Sequence, residues 1–210
     1  METRKLLSAL VLVLFLSGCM VYSFYPLYTE KDLFPNDLLT GEWLGFDQSN
    51  MESAQDDSDW KFEHPYSEDK ENTRLDSCEY VLSLTENDKG KVYHSNYIVH
   101  VIQLDGHYFL DFYLKDFPID GEIRFPDLHM IPVHTFAKLT VSKDSLVIHW
   151  FDPDWLKKLI KENKIRIHHE DNDETILLTA EPQELQKFVS KYADSEDAFE
   201  DGLKVVLKRK

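Results

Sequence analysis

The chain has 210 residues and a formal net charge of −16, with 42% hydrophobic and 13% aromatic residues. This length suits one domain with a sizeable core, and the apolar content excludes a chain disordered throughout. A strongly acidic chain with no basic stripe repels phosphate backbones, so nucleic acid is excluded as a partner; solubility is the simplest account of the charge.

In chain order, Glu2-Thr3-Arg4-Lys5 makes a short net-positive start, and Leu6 to Leu16 is an apolar run broken only by Ser8. That run is too short for a membrane-spanning helix, which needs about 20 residues, and has the size and flanks of a signal-peptide core. Leu16-Ser17-Gly18-Cys19 follows at once and resembles the lipobox of bacterial lipoproteins. The resemblance implies that residues 1–18 are a cleaved signal peptide and that the Cys19 thiol is acylated. The partner of Cys19 is then the lipid bilayer, each buried CH2 contributing about 0.8 kcal/mol to anchoring. In lipoproteins sorted as in enterobacteria, Asp after the cysteine favours the inner membrane. Met20 stands there, which implies the outer membrane of the cell envelope, facing the periplasm.

With Cys19 acylated, Cys78 has no disulfide partner in the chain and reads as a small buried residue. Residues 19–37 are expected to form a lipidated N-terminus and short tether. Its Tyr22, Phe24, Tyr25, Leu27 and Tyr28 would pack near the domain or the bilayer surface. Residues 38–210 would form one β-rich domain.

Leu38 to Phe46 reads as the first strand of that domain. Residues 47–76 are acidic, with ten Asp/Glu against three Lys/Arg, and predict a long mobile loop interrupted by a short strand at Trp60 to Glu63. Ser67-Glu68-Asp69-Lys70, in that loop, fits the Ser-x-x-Lys pattern of penicillin-recognising enzymes but lacks their other motifs. Glu79 to Leu84 is a second strand, followed by a turn at Asn87-Asp88-Lys89-Gly90. Tyr97 to Leu114 holds two apolar runs around Asp105-Gly106, a pair favoured in two-residue hairpin turns. The turn sets Leu104 opposite His107 and makes His100 and Asp111 cross-strand neighbours. One face of this hairpin is almost wholly apolar; the other mixes aromatics with His100, His107 and Asp111.

A second hairpin spans His134 to Phe151 about Ser142 to Ser145. Its apolar face holds Ala137, Leu139, Leu146, Ile148 and Trp150, and its mixed face Phe136, Lys138 and His149. Asp152-Pro153-Asp154 starts a helix, with an N-cap, Pro at the first position and an acid against the dipole. Lys164 to His168 and Thr175 to Thr179 predict a further hairpin with His169 to Glu174 as its turn. Pro182 opens a second helix with Leu185, Phe188, Val189 and Tyr192 inward. A helical turn near Ser195 to Phe199 and a last strand at Leu203 to Leu207 follow.

Strands thus outnumber helices and most are joined by short turns. The expected fold is mainly β (β-rich α+β), an antiparallel sheet or barrel with two helices in the C-terminal half. Gly41-Glu42-Trp43, opening such a domain, resembles the Gly-x-Trp of the lipocalins. That resemblance implies a barrel carrying a small apolar ligand. The acidic insertion and the two helices depart from that family.

His100 and Asp111 form the candidate functional pair, extended by His107 or, if the hairpins adjoin, by His134 or His149. A carboxylate beside an imidazole favours its charged form and fixes its orientation, as a general base would need. The alternative is a structural hydrogen-bonded pair on a half-buried face. His168-His169-Glu170-Asp171 with Asp173 and Glu174 has metal-ligand residue types, but its order matches neither a zinc helix nor a calcium loop. No Gly-x-Ser-x-Gly, P-loop, His-Glu-x-x-His or Gly-x-Gly-x-x-Gly motif is present, so no cofactor and no metal are expected. Trp43, Trp60, Trp150 and Trp155 could line a ligand cleft or fill the core. The expected function is a non-enzymatic envelope lipoprotein, a binding or accessory module with an envelope protein or a small apolar ligand as partner. The enzymatic alternative is a hydrolase using His100 and Asp111.

Overall fold

The computed structural model describes residues 20–47, 58–65, 77–88, 90–115, 130–172 and 175–210. Among the described residues eleven strands form, in chain order: β1 (Tyr22–Ser23), β2 (Gly41–Asp47), β3 (Ser58–Glu63), β4 (Glu79–Asp88), β5 (Lys91–Leu104), β6 (His107–Leu114), β7 (His134–Val141), β8 (Ser145–Trp150), β9 (His169–Asp171), β10 (Ile176–Leu178) and β11 (Lys204–Arg209). Two helices, α1 (Pro153–Lys161) and α2 (Pro182–Tyr192), lie in the C-terminal half. Strands β2 to β8 pair in sequence order, β11 joins β8 to β2, and β6 also pairs with β7. The two pairings of β11 excepted, each strand thus meets its neighbour in sequence, and the ring of eight antiparallel strands closes without an edge.

The alternation seen in the sequence becomes inside and outside. Inward residues, among them Trp43, Phe62, Tyr80, Leu82, Val101, Leu110, Leu139, Leu146 and Leu207, make the barrel core. A second core lies outside the wall. There Ile102, Phe109 and Phe136 meet Leu156 of α1 and Leu185, Phe188 and Val189 of α2. The β5–β6 hairpin has the expected register, with Leu104 opposite His107 and His100 opposite Asp111. Its turn residues Asp105 and Gly106 both have positive φ, 48° and 85°, the requirement of a type I′ turn. Asp152 caps α1 as expected, accepting from the backbone N–H of Asp154 at 2.8 Å and of Trp155 at 3.3 Å.

One expected hairpin is displaced. Its first arm is not Lys164 to His168 but β9, whose residues pair with β10 in the register His169↔Leu178 and Asp171↔Ile176. The polar residues expected to turn are therefore the pairing ones, because β10 recruits the strand that follows Ile167, itself buried in the outer core. Strand β5 also starts earlier than its apolar run, since Lys91 to Asn96 pair with β4 while facing solvent on much of their surface. Of the acidic segment, only β3 and its flanks are described; Ser67 to Lys70 lies outside the described residues.

Residues 20–40 run as a strap from one end of the barrel to the other. Met20 sits at one end, β1 pairs with β7 and β10, and Leu33 bridges to Ile102 near the end of β5. At the far end Leu39 is fully buried in the barrel core and Phe34 and Leu38 pack against it. Trp43 Nε1 donates to the Leu39 carbonyl at 2.7 Å, and the Tyr80 hydroxyl donates to Asn36 Oδ1 at 2.7 Å. Burial holds the Tyr80 phenol protonated, with a pKa of about 12. The Arg209 guanidinium lies 4.4 Å from the centre of the Trp43 ring. This end of the barrel is thus floored by side chains.

Candidate functional site

Two places concentrate chemistry: the histidine cluster on the outer wall and the open end of the barrel.

The outer-wall cluster contains the pair expected from sequence, wired differently. Asp111 is 0% exposed and His100 is 6% exposed. The Asp111 carboxylate does not turn to His100. Its Oδ2 accepts from the backbone N–H of Leu27 at 2.8 Å, and its Oδ1 lies 2.8 Å from His134 Nδ1. His100 instead packs its ring against Tyr28 with centroids 4.2 Å apart, and its Nε2 lies 3.7 Å from Glu79 Oε2. The expectation that a neighbouring carboxylate would favour charged His100 is overturned. Burial, reinforced by His134, lowers its pKa to about 4, so it is neutral at neutral pH. Burial also pushes the Asp111 carboxyl up, against the hydrogen bonds from His134 and Leu27. Burial, with the carboxylates of Asp111 and Glu79, raises the Tyr28 phenol.

Of the three possible extensions, the fold brings His134 to Asp111 and leaves the other two elsewhere. His107 Nε2 lies 3.2 Å from Asp194 Oδ2 at the protein surface. His149 packs on Phe199 with centroids 5.2 Å apart, in a polar groove shared with Lys138 and Lys204. Burial and then Lys204 lower its pKa. His168 pairs with Glu184 at 2.7 Å, and no group of three or more His, Cys, Asp or Glu suited to a metal occurs among the described residues.

What the outer cluster does is mechanical. Both Asp111 oxygens are engaged, and Tyr28 covers His100. Gln186 of α2 adds bonds to the Leu27 carbonyl at 3.0 Å and to Asp32 Oδ2 at 2.8 Å. The cluster therefore latches the middle of the strap to the wall, in a place a substrate cannot reach without opening the fold.

Among the described residues nothing closes the end of the barrel opposite the Leu39 floor. A cavity of about 700 Å3 enters there between the ends of β3, β4, β6, β8 and β11. An eight-stranded barrel is just wide enough to be filled by side chains or to hold one small ligand; here the floor half is filled and the other half is hollow. The wall is Trp60, Leu82, Leu84, Tyr97, Phe112, Trp150 and Val205, and the rim includes Met20, Tyr22, Met130 and Ile131. Glu86 is the one charged residue among the described lining residues; no Lys, Arg or His is among them.

Trp150 stacks on Phe112 with centroids 5.3 Å apart, and its buried indole Nε1 has no hydrogen-bond partner among the described residues. A buried N–H left unmade costs about 1–3 kcal/mol, so such a donor calls for an explanation. Two of the four tryptophans considered from sequence thus line the cavity, while Trp43 belongs to the floor and Trp155 packs in the outer core. Sequence pattern could flag the tryptophans; the strap and the unmet donor have no signature in it.

No protein-family model, no curated protein and no solved structure matches this chain.

Proposed function

We propose that this protein is an envelope lipoprotein, anchored in the outer membrane through acylated Cys19 and facing the periplasm, whose barrel carries a small apolar ligand. The observation that carries this function is the hollow half of the closed barrel. At about 700 Å3 it falls within the ~300–1,000 Å3 range of small-molecule sites, and its mostly apolar wall with few polar groups is the usual make-up of such sites. Gly41-Glu42-Trp43 supports a lipocalin-like carrier, because it opens the first strand of the barrel and sets Trp43 in the floor. Burial of His100 and Asp111, and engagement of both Asp111 oxygens, count against a hydrolase on that pair.

The test is organic extraction and mass spectrometry of the full chain purified from membranes. A carrier yields an apolar molecule at close to one per chain, and the substitution Leu84→Trp, which fills the cavity from a wall position, removes it. Extracts in which native protein and Leu84→Trp are equally empty refute the carrier function. The anchor is tested separately: Cys19→Ser should lose labelled palmitate and leave the membrane fraction.

A further inference from the structure

Large apolar side chains left in water are unevenly placed on this molecule. Ile131 is 71% exposed and Met130 43%, and both line the cavity mouth. Val92 is 57% and Tyr93 50% exposed, on the β4–β5 hairpin that projects from the same end; Tyr93 pairs with Glu86, another mouth residue. Scattered exposed apolar residues need no account, but a cluster around a cavity entrance does.

The chain enters the described structure at this entrance as well. Met20 lines the mouth, and consecutive Cα atoms are only about 3.8 Å apart. A lipid on Cys19 would therefore join the barrel at its open end. The latch at Asp111 and the bonds from Gln186 tie the strap down behind it, so the joint has little slack.

The mouth also has a definite chemistry. It holds no cationic side chain among the described residues, so a carboxylate entering it would be buried without a counter-charge, which is costly. An uncharged apolar chain satisfies that condition. A chain esterified to glycerol is such a group, its tail free to reach toward the floor.

We propose that the open end of the barrel docks on the bilayer and takes an ester-linked acyl chain of a zwitterionic glycerolipid directly from it. The proposal rests on the carrier function above and names its ligand class and entry route. Strong negative charge on the protein directs the choice to zwitterionic over anionic lipid.

The full chain is bound to phosphatidylcholine vesicles, plain or brominated along the acyl chains, and tryptophan emission is recorded. Trp60 and Trp150 line the cavity and the other two tryptophans do not, so brominated chains should quench part of the emission. The double substitution Trp60→Phe/Trp150→Phe should abolish that quenching, leaving Trp43 and Trp155 undimmed. Ile131→Glu with Val92→Glu, both at exposed positions, should reduce quenching several-fold while binding of a soluble apolar fluorescent probe is unchanged.

Emission that is equal in plain and brominated vesicles refutes the proposal, including the case in which the protein's own Cys19 chains occupy the cavity. Equal quenching in the double variant refutes it too, by showing docking through another face. If quenching is absent while the soluble probe still binds, the carrier function survives without this entry route; if neither occurs, both fall.

Discussion

His100→Gln removes the most strongly shifted histidine of the outer wall and should flatten the acid arm of the stability curve. His100 has a pKa of about 4 in the folded protein against an ordinary 6.5. Between those values the unfolded chain binds a proton that the folded chain refuses, so stability falls as pH falls. The contribution is fully present above pH 6.5 and lost by pH 4. A separation of about two and a half pH units, at 1.36 kcal/mol each, makes the loss about 3 kcal/mol. Asp111 acts in the opposite sense, since its raised pKa lets the folded state take up a proton first. It is present in both proteins, so its effect largely cancels in the comparison. Urea midpoints measured from pH 7.5 to pH 4 are sufficient, because a change of this size moves the midpoint by about 1–3 M at usual slopes. At pH 7.5 the variant should be weaker by about 1 kcal/mol for its lost packing on Tyr28, and by pH 4 it should be the more stable protein. Parallel losses in the two proteins down to pH 4 would refute the assignment of a neutral, buried His100.

Asp111→Leu leaves the Leu27 N–H and His134 Nδ1 without their acceptor; a loss of about 2–5 kcal/mol in a urea melt is expected, together with faster amide exchange at Leu27. Gly202→Ala would set a Cβ 2.1 Å from the Trp150 carbonyl oxygen. Backbone must move to admit it, so the melting temperature should drop by several degrees, by about 1–3 kcal/mol of stability. Leu84→Trp should melt close to the native protein, because it points into open volume, while losing apolar probe binding.

How much of this was legible in the sequence depended on whether a contact is local. The β5–β6 hairpin could be read with its register because Asp105-Gly106 sets the turn and the alternation sets the faces. Asp152-Pro153 announced α1 for the same kind of reason. The strap could not be read: Tyr22 to Tyr28 has no period, and its partners in β7 and β10 lie more than a hundred residues away. The same distance hid the wiring of the cluster. Sequence placed Asp111 beside His100, but whether the carboxylate turned to His100, to His134 or to the Leu27 amide depended on which segment covered the wall. Lys91 to Asn96 was missed because a strand exposed on both faces shows no apolar alternation. For the cavity, Trp60 and Trp150 could be named as candidates, but only closure of the ring put them on one wall with Met20 at the entrance.

The carrier function is tested most directly by titrating the purified full chain with an uncharged fluorescent apolar probe and following energy transfer from tryptophan. One saturable site per chain is predicted, with transfer dominated by Trp60 and Trp150 and binding abolished by Leu84→Trp. Binding that fails to saturate, or that persists undiminished in Leu84→Trp, would contradict the existence of a working cavity in the barrel.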